Sequence, residues 1–63
     1  MWTLIFIITT PQLITREVFP DQLETYRDCR NYGKDAREQH ANLIFQKYPD
    51  IVDFDISCVQ DIN

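Results

Sequence analysis

Apolar residues along this chain change their spacing twice. From Trp2 to Thr9 the sequence WTLIFIIT is rich in β-branched and aromatic residues. Both of its alternating faces are apolar: Trp2, Leu4, Phe6 and Ile8 on one, Ile5 and Ile7 between Thr3 and Thr9 on the other. Such a run predicts a central strand. TTPQ breaks it, and Leu13 to Phe19 (LITREVF) predicts a second strand, paired with the first as a hairpin. Arg16 and Glu17 suit an edge position, where charge discourages foreign pairing. Pro20 then ends the strand, and Asp21 with Glu24 makes a capping-box-like pair that opens a helix. Leu23, Tyr26, Cys29 or Arg30, Gly33, Ala36, His40, Leu43 and Ile44 recur at helical spacing up to the stop at Tyr48-Pro49-Asp50. Gly33 permits either one continuous helix or a kinked pair, the second half capped by Asp35 and Glu38. Ile51 to Val59 predicts the third strand, followed by a frayed QDIN tail. Its alternation turns Val52, Phe54, Ile56 and Cys58 one way and Asp53, Asp55 and Ser57 the other.

The order β-β-α-β predicts an α+β fold: a three-stranded antiparallel sheet in the order 2-1-3, with one long helix on one face. The connection from the second strand through the helix to the third is a split βαβ unit and should be right-handed. No segment remains to cover the other face. Thr3, Ile5, Ile7 and Thr9 lie there, extended by Ile14 or Leu13 according to the hairpin register. A contiguous apolar stripe in water calls for a cover, and a homodimer through Ile5 and Ile7 is the first expectation, a different protein the second.

Length and charge narrow the classes of function. Sixty-three residues make a single domain, 1–63, and a chain this short is marginal without a staple or a partner. Its net charge is −4, from ten acidic and six basic residues. That balance argues against nucleic-acid binding, which depends on neutralising phosphates, and against an anionic membrane surface. The opening MWTLIFIITT has no Lys or Arg before Arg16 and no small-residue cleavage site, and Pro11 and Gln12 end its apolar run early. These features predict a cytoplasmic protein.

The chemistry-bearing residues are few. Cys29 and Cys58 both fall near the helix–sheet core, so they either join in a disulfide, which would add ~3–4 kcal/mol in the chain-entropy model, or pack as two reduced thiols. Zinc finds no close ligand pair among Cys29, His40 and Cys58. Cys29 and His40 stand about 16 Å apart along one helix, too far for a nucleophile–base pair. Asp53 and Asp55 share a face of the last strand and could hold a hard cation, although with Asp50 and Asp61 they read more simply as a charged, soluble edge. The helix carries both signs, as a solvated face does, with Arg27, Arg30, Lys34 and Arg37 as candidate partner contacts. No phosphate-binding loop, metal or cofactor is expected.

Met1-Trp2-Thr3-Leu4, Phe19-Pro20, Cys29 and Ser57-Cys58-Val59 together give a layout that resembles short uncharacterised proteins of tailed-bacteriophage genomes. Those proteins begin on an MWTL strand, carry one Cys on a helix and end on a strand with a second Cys. The resemblance spans nearly the whole chain and transfers no functional residues. It implies a phage setting, where small acidic proteins often bind a host protein and alter its activity. The function expected is therefore a non-enzymatic protein–protein interaction module, a modulator or inhibitor of a host protein. The alternatives are a homodimeric accessory protein and, behind it, a small metal-dependent or thiol enzyme. Asp53 and Asp55 would matter to the module only if that edge meets a basic partner.

Overall fold

A computed structural model of the chain describes residues 1–60. Four elements follow in order: β1 (Trp2–Thr9), β2 (Ile14–Leu23), α1 (Tyr26–Lys47) and β3 (Asp53–Gln60). The sheet has the order β2-β1-β3, and β1 pairs antiparallel with both neighbours. This is the α+β arrangement that the hydrophobic pattern predicts.

The helix covers the face that carries Leu4, Phe6 and Ile8 from β1 and Phe54 and Ile56 from β3. Cys29, Ala36 and Ile44 meet them from α1. Aromatic rings fill the wider part of the layer. Phe6 packs edge-to-face on Phe19 at 5.5 Å and on Phe54 at 5.4 Å between centroids, geometries that favour the ring quadrupoles. His40 is half-buried against Phe6 and Phe19.

α1 is one continuous helix, and Gly33 shows why a glycine at its middle is tolerated. A Cβ built there would overlap Ile56 Cδ1 and lie 2.9 Å from Leu4 Cδ1. The missing side chain lets the helix approach the sheet closely, and that contact outweighs the roughly 1 kcal/mol that glycine costs a helix.

The ends of the elements differ from the sequence expectation. The second strand runs on through Pro20 to Leu23. The β1–β2 register shifts between Thr3 and Ile5, so that Leu4 stands against Phe19, Pro20 and Asp21 before Thr3↔Gln22 and Trp2↔Leu23 resume the pairing. Proline is accommodated at such an irregularity on an edge strand, where its missing N–H breaks no ladder. Because Leu23 remains in the strand, the helix starts later, and Thr25 rather than Asp21 is its N-cap: Thr25 Oγ1 accepts the Asp28 N–H at 3.0 Å. At the other end of α1, Tyr48 N–H reaches Ile44 O, and Ile51 N–H closes a turn onto Tyr48 O. That turn delays β3 to Asp53, paired with Thr9. Val52 precedes the ladder and is 69% exposed instead of facing the core. Leu43, expected on the inner stripe of the helix, is likewise exposed, with Ile44 taking the inward place. Gln60 belongs to β3, and Asp61 with the rest of the tail lies outside the described residues.

Cys29 and Cys58 form a disulfide, with Cα atoms 6.2 Å apart and a sequence separation of 29. Cys29, not Arg30, is the inward residue, fully buried, and Cys58 packs half-buried against the core. The bond ties the first turn of α1 to the end of β3. Urea unfolding with and without reductant should show a loss of about 3–4 kcal/mol on opening it, and an unchanged midpoint would refute that role. Gly33→Ala should also destabilise the chain, by up to about 2 kcal/mol, the overpacking cost of about 1–3 kcal/mol against the Leu4 and Ile56 side-chain ends less the helix-propensity gain of about 1 kcal/mol. A raised urea midpoint in that variant would show that the helix–sheet spacing is not set at Gly33.

Candidate functional site

The register of the sheet decides what lies on the face away from the helix. Leu4, Phe6 and Ile8 are buried beneath α1, so Thr3, Ile5, Ile7 and Thr9 point outward. Residues paired across antiparallel strands share a face. Ile5 sits between Val18 and Ser57, Ile7 between Arg16 and Asp55, and Thr9 between Ile14 and Asp53. Ile14, not Leu13, therefore extends the stripe. Ile14 is 56% exposed and Val18 is 65% exposed, while Ile5 and Ile7 are half-covered by these neighbours.

Val18 is a member that the sequence reading missed. The alternation Ile14, Arg16, Val18 along β2 carries the signal, once the strand's outward face is known. Val59 joins at the far end of β3, opposite Thr3. The result is an apolar centre with a basic edge on β2, at Arg16, and an acidic edge on β3, at Asp53 and Asp55. Arg16 forms no ion pair among the described residues. Asp55 Oδ1 accepts the N–H of the adjacent Ile56 at 2.8 Å, which occupies a backbone donor of the edge strand and discourages pairing there.

The helix-side candidates lie elsewhere. Arg27, Arg30, Lys34 and Arg37 recur at helical spacing along α1, with Arg30 half-buried and the other three exposed. Lys34 and Arg37 also border an open cleft of about 970 Å³ between α1 and the start of β3, floored by Phe45, Ile51 and Phe54 and edged by Val52 and Asp53. On the opposite side of the helix, Lys47 Nζ donates to Glu17 Oε1 at 3.1 Å, and Tyr48 Oη donates to the same oxygen at 3.4 Å. The hydrogen bond and charge of Glu17 raise the Lys47 pKa above its ordinary value. This exposed pair fastens the end of α1 to β2 and adds little stability in water.

The chemical candidates are not brought together. The disulfide occupies both sulfurs, so in this oxidised chain neither can serve His40 as a nucleophile. Among the described residues no group of three or more His, Cys, Asp and Glu could hold a metal ion, which leaves Asp53 and Asp55 as a pair short of a hard-cation site. No helix among the described residues is long and apolar enough to cross a membrane. No family model matches the chain, and neither a curated protein nor a solved structure shows significant similarity to it.

Proposed function

We propose that this chain is a non-enzymatic protein–protein interaction module whose working surface is the open face of its sheet. The observation that carries the reading is the uncovered cluster of Ile5, Ile7, Ile14 and Val18 on one side of a two-layer fold. Leu4, Phe6 and Ile8 of β1 are buried beneath the helix, whereas Ile5 and Ile7 on the other face are only half-covered, and a partner completes their removal from water. The module acts by occluding the surface that it binds. Its resemblance to short phage proteins adds a host protein as the target class, and the basic stripe of Arg27, Arg30, Lys34 and Arg37 with the adjoining cleft is the surface available for such a contact once the sheet face is covered.

The test is affinity capture with the immobilised full chain, using a bacterial lysate and the untagged chain itself as separate inputs. Ile5→Asp/Ile7→Asp should reduce capture through the sheet face by about a hundredfold, since it places two unpaired charges in an apolar contact. Val18→Asp, on the exposed edge strand, should act in the same direction without touching the core. Retention of every wild-type partner by variants that keep the wild-type circular dichroism would refute the sheet face as the working surface.

A further inference from the structure

We propose that the sheet face is covered by a second copy of this chain, and that the two copies are related by a two-fold axis lying between the sheets and parallel to β1. The proposal rests on the interaction-surface reading above and names its occupant. Its basis is the order of charge across the face. Arg16, Ile7 and Asp55 occupy one cross-strand row, basic edge to apolar centre to acidic edge.

Two sheets pack face to face about 10 Å apart with their strands within roughly 30° of one another. A closed pair of identical faces admits two orientations of the two-fold axis within that plane. With the axis across the strands, β2 stacks on β2 and β3 on β3. When that axis passes through the Ile7 row, Arg16 faces Arg16 and Asp55 faces Asp55, like charges that oppose association, and at any other position along the strands Arg16 still lies over β2 and reaches no aspartate of β3. With the axis along β1, β2 of one copy lies over β3 of the other. Ile5 and Ile7 then meet Ile5 and Ile7 at the centre, and Arg16 stands over Asp55 of the second copy on each side. Val18 falls on Ser57, a small residue of the same row as Ile5. Every charge on that row is matched, and Arg16, which has no ion-pair partner within its own chain among the described residues, gains one.

Sedimentation equilibrium on the oxidised full chain tests this arrangement. The wild type should reach twice its 7.6 kDa chain mass. Arg16→Asp and Asp55→Arg should each raise the dissociation constant by about tenfold or more, because each places like charges opposite one another in two symmetric positions. The double variant R16D/D55R should return to near wild-type affinity. An equimolar mixture of the two single variants should form a mixed dimer in preference to either homodimer. Only the mixture sets the introduced aspartate over the introduced arginine on one side and the native Arg16 over the native Asp55 on the other. Asp55→Arg also gives up the bond to Ile56 N–H. If that variant fails to fold, Arg16→Asp alone decides: weakening supports the axis along β1, whereas an unchanged or tighter dissociation constant overturns it, because an axis across the strands exchanges one like-charge contact for another. A wild type that stays at single-chain mass overturns the second copy as occupant. In that case loss of lysate capture by Ile5→Asp/Ile7→Asp would still uphold the interaction module, and unchanged capture would remove both readings.

Discussion

The fold depends on how closely a single helix can lie against a three-stranded sheet. At Gly33 the backbone of α1 comes down on Leu4 and Ile56 with no room for a methyl group between them. Cys29 lies one turn before Gly33 on the same side of the helix, and its bond to Cys58 holds that side against β3. Ala36 continues the run of small residues. Past Ala36 the layer is filled by larger groups, His40 against Phe6 and Phe19, and Ile44 among the buried residues. The helix is thus set close at its first half by small side chains and a covalent bond, and at its second half by rings.

That economy has a structural consequence. A chain of 63 residues has enough apolar material to line one interface between layers. β1, the strand with apolar residues on both sides, therefore receives the helix on one side only. The outward isoleucines are not surplus to the sheet, because β-branched residues in the central strand favour the extended backbone that both neighbours pair with. The same side chains that make β1 a good centre strand leave it incomplete as a solvent-facing surface. The disulfide matters for the same reason of size: it offsets the short core. Such bonds are rare in reducing compartments, and with Cys29 fully buried the half-buried Cys58 is the side from which a thiol reaches this one.

Periodicity made the architecture legible and could not reach the details that depend on pairing. The switch from period two to helical spacing and back identifies four elements, and the doubly apolar β1 places itself at the centre. Thr25 as N-cap was hidden by Asp21 and Glu24, an equally good local signal that loses because Gln22 and Leu23 are held extended by Thr3 and Trp2. Val52 continues the alternation of β3 in sequence and its N–H reaches Thr9 O, yet the turn made by Ile51 N–H and Tyr48 O precedes it, the paired run starts at Asp53, and its side chain is exposed. For the candidate surface, Ile5 and Ile7 are visible from the parity of one strand. Val18 depends on the register of β1 with β2, and the alignment of Arg16 with Asp55 on the registers of two strand pairs at once. The cysteine pair occupies the middle ground: alternation put Cys58 near the core, whereas only the approach of the first helical turn decides between a bond and two thiols.

Pairing through the sheet face would change what limits the stability of this chain. A back-to-back dimer has four layers, helix-sheet-sheet-helix, and β1 becomes a buried strand on both sides, as its composition suits. Folding and association are then linked, so that apparent stability rises with chain concentration. The helices lie on the outside in such an arrangement, and the stripe of Arg27, Arg30, Lys34 and Arg37 appears twice, on opposite sides of the pair. Two equivalent surfaces on one rigid body engage a partner with repeated sites far more strongly than either does alone, provided that their separation matches the repeats. Covering the apolar face and presenting the charged face in duplicate are, in this geometry, consequences of the same axis.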